Sequence, residues 1–236
     1  MTQNLLLSLL SLVPIAIWLG LFLWRDAKHP EPWYWILIVF VAGILITPIV
    51  LLFENYYVTG ISTLFSGQST NDYLLFFGIA FIEEAAKFLV VYVLMKLNRY
   101  FDKAIDAMIY MIIAALGFAS VENIIVVSKE LALSPYMSSA FQILGFRFIG
   151  ANLIHILCSG FIGFFWALRL AQRNRKFYPI GLTIGILLHT AFNIVIMKLG
   201  YDILFVVSTV LFVFALFIIW AFNILEYAKW KPNKET

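Results

Sequence analysis

The feature that most constrains this chain is a recurring run of about 20 apolar residues, the length a helix needs to cross about 30 Å of hydrocarbon. Seven such runs are legible, over approximately residues 4–24, 33–53, 73–96, 104–127, 141–169, 179–198 and 202–226. The fifth is long for one crossing, so a tilted span or one that projects beyond the bilayer is expected there. Everything between the runs is short. The expected fold is an all-α, polytopic transmembrane bundle of about seven spans, with residues 1–236 forming one membrane domain. Composition agrees: 63% of the 236 residues are hydrophobic and 12% charged, against about 25% charged in a soluble domain.

Basic residues set the expected orientation, because cytoplasmic loops collect Lys and Arg. Arg25 and Lys28 follow the first run, and Lys96, Arg99 and Lys103 follow the third. Arg169, Arg173, Arg175 and Lys176 follow the fifth, and Lys229, Lys231 and Lys234 lie in the tail. The opposite connections hold only Lys129 and Lys198. The N-terminus is therefore expected outside and the C-terminus in the cytoplasm. No basic residue precedes the first run and no small-x-small site follows it, which reads as a retained span and not a cleaved signal. Residues 54–72, free of Lys and Arg, read as an extracytoplasmic loop. No basic, aromatic-interleaved stretch suited to nucleic acid is present. The single cysteine, Cys158, excludes an internal disulfide and a cysteine metal cluster.

Ionisable residues inside these runs are the informative exceptions, since each costs about 3 kcal/mol or more at mid-membrane and persists only with a partner or a function. The third run holds Glu83, Glu84 and Lys87. The fourth holds Asp106 near its start and Glu122 and Asn123 near its end. The fifth holds Arg147, Asn152 and His155, and the sixth His189 and Asn193. Glu83 and Lys87 share a helical face, and Glu84 is turned about 100° away. One glutamate is then expected to pair with Lys87 while the other faces a cavity. His189 and Asn193 share a face, as do Asn152 and His155. Counted at about 1.5 Å per residue, these groups fall at mid-membrane, displaced toward the outer side. Asp106 sits at the other end of its span, as an interfacial anchor or a partner for Lys103.

Two carboxylates, two imidazoles and an amide suit the activation of water. A glutamate takes its proton and later gives it to a leaving amine, while a histidine and an asparagine stabilise the oxyanion. The candidate catalytic set is Glu83, Glu84, His155, His189 and Asn193, supported by Lys87, Glu122, Asn123, Arg147, Asn152 and Asp106. A zinc ion on Glu84, His155 and His189 is the metal-dependent alternative. A proton-coupled transporter or channel is the alternative of another class, although no inverted repeat is evident. Each residue also has a structural reading: an ion pair for Glu83 and Lys87, interhelical bonding for His189 and Asn193, packing for Glu122 and Asn123.

The order of these motifs resembles the PrsW family of intramembrane proteases. Phe81-Ile82-Glu83-Glu84-Ala85-Ala86-Lys87 resembles its Glu-Glu-x-x-Lys block. Asp106 with Gly117-Phe118-Ala119-Ser120-Val121-Glu122-Asn123 resembles the second block, Arg147 to His155 the third, and His189-Thr190-Ala191-Phe192-Asn193 the His-x-x-x-Asn block. Ala107 stands where the family usually has Gly. The resemblance spans about residues 70–200 and extends to the CAAX prenyl endopeptidases, which share the paired glutamates. It implies a multi-pass endopeptidase of a bacterial plasma membrane that cuts single-span, membrane-anchored proteins such as anti-sigma factors on the outer side. It leaves cofactor use open between zinc and the metal-free, glutamate-activated water of the prenyl endopeptidases, the latter favoured here. Membrane lipid is the other expected partner, and oligomeric state stays open.

Overall fold

The computed structural model describes residues 9–25, 30–64, 70–133, 136–173, 176–199 and 204–226. Lys28, His29, Arg175 and the tail lysines fall outside these residues. The described chain forms eight helices: α1 (Val13–Arg25), α2 (Trp33–Leu64), α3 (Thr70–Leu97), α4 (Ala104–Leu133), α5 (Met137–Ile149), α6 (Ala151–Gln172), α7 (Phe177–Leu199) and α8 (Leu204–Glu226). No strand occurs among the described residues. Five segments are long and apolar enough to cross a membrane: Trp33–Leu64, Ala104–Leu133, Phe141–Gln172, Phe177–Leu199 and Val207–Leu225. α3 has comparable length but carries Glu83, Glu84 and Lys87 in its middle.

α4 is the axis of the bundle. Its residues from Asp106 to Ser120 are all buried, and its chief neighbours are α6 and α2. Small residues explain the closeness of these contacts. A Cβ at Gly43 of α2 would collide with the Ala114 carbonyl of α4, and one at Gly117 with the Phe40 carbonyl. Two glycines thus let the α2 and α4 backbones touch, the usual device where lipid offers no hydrophobic drive between helices.

Two expectations are corrected. Residues 54–64 are not loop: α2 continues through them to Leu64. No proline lies between Glu54 and Leu64, and neither one carboxylate nor Gly60, at about 1 kcal/mol, is enough to end a helix. At about 1.5 Å per residue, its 32 residues exceed the hydrocarbon thickness, so it tilts or projects. The long fifth run is not one helix. It is interrupted at Gly150 (φ −96°, ψ −85°), which separates α5 from α6, an irregularity that continuous hydropathy hides.

Candidate active site

Four helices bring their ionisable residues together beside α4. Lys87, fully buried, sits at the centre. Its Nζ lies 2.7 Å from Glu84 Oε1 and 3.2 Å from Glu83 Oε2, and 3.0 Å from His155 Nδ1. An ammonium has three N–H donors, and these acceptors use all three. The Phe118 ring lies 4.3 Å away on another side. The expectation that Lys87 serves only one glutamate is therefore corrected: the i+3 and i+4 positions both fall within reach of its flexible arm.

The glutamates differ in surroundings. Glu84 accepts from Lys87, from Ser159 Oγ at 3.1 Å, and from His189 Nδ1 at 3.0 Å. It is wholly enclosed. Glu83 instead lines a cavity of about 350 Å³, with His155 Nδ1 3.7 Å and His189 Nδ1 3.9 Å from its Oε2. His155, His189 and Asn193 line the same cavity. The two imidazole rings stand edge to face, with centroids 4.9 Å apart.

Hydrogen bonding fixes the tautomers. His155 Nδ1 accepts from Lys87, so its ring proton is on Nε2, which donates to Glu122 Oε2 at 2.7 Å. His189 Nδ1 faces a carboxylate, which can only accept, so Nδ1 carries a proton and Nε2 is left for the cavity. Glu122 in turn accepts from Arg147 Nη2 at 3.1 Å. Arg147 Nε bonds Asn123 Oδ1, and Asn123 Nδ2 donates to the Ser11 carbonyl at 3.2 Å. Arg147 on α5 and His155 on α6 both bond Glu122 and line the same cavity.

Two sequence-selected residues are elsewhere. Asp106 is 16 positions before Glu122 on α4, about 24 Å along the axis. Its Oδ2 accepts from the backbone N–H of Asp102 and Lys103, at 3.0 and 2.8 Å, tying the preceding turn to α4. The Lys103 ammonium points instead to Glu31, at 4.0 Å. Asn152 is fully buried but does not line the cavity, and its side-chain amide has no hydrogen-bond partner among the described residues.

Two others were missed. Ser159 follows His155 by four positions, a helical spacing that put it within view. Glu54 lines the cavity from α2 and lies in the field of Glu83, Glu122 and Lys87. Its Oε1 is buried without a hydrogen-bond partner among the described residues. It stood at the apparent end of an apolar run, where a charge reads as the start of a loop.

Fold and site together define a class: a multi-pass integral membrane protein with a Glu/His cluster opening on a cavity inside the bundle. The chain belongs to the PrsW family of intramembrane metalloproteases, whose profile matches residues 31–221. It is 25% identical over 236 residues to the protease PrsW of Clostridioides difficile (strain 630), covering 97% of this chain and 93% of that protein. It is 26% identical over 174 residues to the protease PrsW of Geobacillus kaustophilus (strain HTA426), covering 72% of this chain and 71% of that one. No solved structure matches the chain.

The family description names a metal. Glu83, Glu84, His155 and His189 can each offer one ligand atom, and those atoms lie within 4.8 Å of one another. Carboxylate and imidazole are ordinary zinc ligands, so the residues fit a divalent ion in type and number. Three of these four residues also face Lys87 Nζ, through Glu83 Oε2, Glu84 Oε1 and His155 Nδ1.

Proposed function

We propose that the chain hydrolyses a peptide bond of a membrane-anchored protein in this cavity, with Glu83 as the base that activates water. One observation carries the choice: Glu83 faces the cavity with both histidines, whereas Glu84 lies behind it, bonded to Lys87, Ser159 and His189. Glu83 takes a proton from water as its oxygen bonds the scissile carbonyl carbon. The same carboxyl returns that proton to the amine nitrogen as the C–N bond breaks. The oxyanion is held by the Asn193 amide and by His189, which donates from Nε2 as an imidazolium flanked by Glu84 and Glu83. Lys87 keeps the paired carboxylates from repelling each other, and Glu122 with Arg147 aims His155.

The test is cleavage of a single-span reporter in proteoliposomes by wild type, Glu83→Gln and Glu84→Gln. Loss of cleavage in Glu83→Gln is expected. Wild-type rates in both variants would overturn the enzymatic reading.

Zinc is the second reading, favoured by the donor quartet and the family description. Glu84, His155 and His189, with Glu83, would hold it, and it would supply Lewis acidity and a more acidic bound water. The placement of Lys87 among three of these residues is why the metal-free reading is preferred. Stoichiometric zinc in purified protein, lost together with cleavage on chelation, would reverse that preference.

The family resemblance supports a bacterial plasma membrane and substrates of the anti-sigma-factor type. The loop charges support an N-terminus outside, which puts the cavity nearer the outer face. The family profile covers residues 31–221 and the described helices run from Val13 to Glu226, which supports one membrane domain.

A further inference from the structure

The catalytic cavity has an apolar neighbour. A second cavity, of about 310 Å³, lies between α7 and α8 against α6. α7 contributes Leu188, Ala191 and Val195 to it, and α8 contributes Val210 and Phe214. Two residues, Ile154 and Phe192, line both cavities. Ile154 precedes His155 on α6, and Phe192 precedes Asn193 on α7. α7 is thus a partition: one face presents His189 and Asn193 to the catalytic cavity, and the adjacent face is a wall of the apolar slot. A third cavity, of about 200 Å³ between α1, α6 and α8, is equally apolar but shares no residue with the catalytic one.

We propose that the slot between α7 and α8 receives apolar side chains of the substrate's transmembrane segment, next to the scissile bond. The bound stretch passes over Ile154 and Phe192 to reach His155 and His189. This rests on the proteolytic reading above. The occupant follows from what the slot adjoins. A lipid tail is apolar throughout and has nothing to offer Glu83, Arg147 or Asn193. A peptide offers apolar side chains to the slot and, at the same depth, backbone amides that need polar partners inside a membrane. The volume suits a few side chains and not a whole helix, so the slot grips a short stretch while the rest of the span stays in lipid.

The test places the photo-crosslinker benzoylphenylalanine at Val210, in the slot, or at Val213, on α8 but outside it; both positions are exposed. The full chain carries Glu83→Gln, so binding is read without cleavage. It is reconstituted in phosphatidylcholine–phosphatidylglycerol vesicles with a biotinylated, synthetic single-span leucine–alanine peptide. Crosslinking to the peptide is expected to be about fivefold stronger from Val210 than from Val213, the contrast that close packing against one helix face gives. Ala191→Trp, filling the slot from the facing wall, should remove that excess. Equal yields at the two positions, or lipid adducts alone from Val210, would overturn the proposal. The hydrolytic reading fails separately: a wild-type enzyme that binds the peptide in the slot and never cuts it removes that reading and leaves the slot.

Discussion

α4 carries one buried ionisable cluster at its first turn, around Asp106, and meets a second around Glu122; of the three cavities described above, one is bordered by the second cluster and none by the first. Around Glu122, carboxylates, imidazoles and the Arg147 guanidinium border about 350 Å³ of space, with the Lys87 ammonium buried behind Glu83. Near Asp106, Tyr110 donates to Glu31 at 2.7 Å and accepts from Asn98 at 3.1 Å. Glu31 and Asp106 are as buried as Glu83 and Glu84, yet Glu31, Asp106 and Tyr110 line none of the three cavities described above. The first cluster holds backbone segments together, tying the segment before α2 and the end of α3 to α4; the second sets its charges beside space for water and a peptide.

Four experiments press on this contrast. Glu83→Gln should lower reporter cleavage by roughly 10²- to 10⁴-fold, the usual worth of a general base, while the melting temperature in detergent moves little. A mutant that keeps its rate would dissolve the distinction. Lys87→Met should cost about 3–5 kcal/mol of stability by stranding two buried carboxylates, and should abolish cleavage as well. Denaturant titration of the purified protein reads the first effect. A mutant that unfolds like wild type would mean that lysine is not the counter-ion holding the site together. Tyr110→Phe should cost about 1–3 kcal/mol by leaving Glu31 short of a donor, with cleavage per folded molecule unchanged. A fall in specific activity would join the two clusters functionally.

The smallest effect concerns pH. Burial chiefly, against the opposing influence of Tyr110 and Lys103, holds the Glu31 carboxyl above its ordinary value of 4.5. The folded protein thus keeps that proton more tightly than the unfolded chain. The stabilisation is complete below the ordinary value and is lost as pH rises through the raised one. The melting temperature of wild type relative to Glu31→Gln should decline over that interval. A difference that stays flat would mean Glu31 titrates as if exposed.

The cavity cluster was largely legible in the sequence because charge is conspicuous against 63% hydrophobic residues. Glu83, Glu84, His155 and His189 could each be named from their position in an apolar run. What spacing could not supply was rotation. Glu83 and Glu84 differ by one helical step, and only the placement of α6 and α7 decides which faces space. Glu54 was lost for the opposite reason. At the edge of a run its charge was unremarkable, and only the continuation of α2 to Leu64 brings it inward. The break at Gly150 was invisible because residues on both sides are apolar, although it separates Arg147 from His155. The all-helical membrane bundle agrees with the expected class; about seven spans are expected, and among the described residues five segments have the length and apolarity to cross, α3 having the length but three charges in its middle.

Lys87 and both of its glutamates belong to one helix, and this bears on how the protein is made. Insertion of α3 into the bilayer exposes three formal charges to hydrocarbon, each costly by itself. At i+3 and i+4, the ammonium can meet both carboxylates before any later helix has arrived. The newly inserted segment then carries one net charge. His155 and His189 lie further along the chain and reach the membrane later in synthesis. α3 is therefore equipped to wait in the bilayer for its partners, with its own counter-ion already in hand.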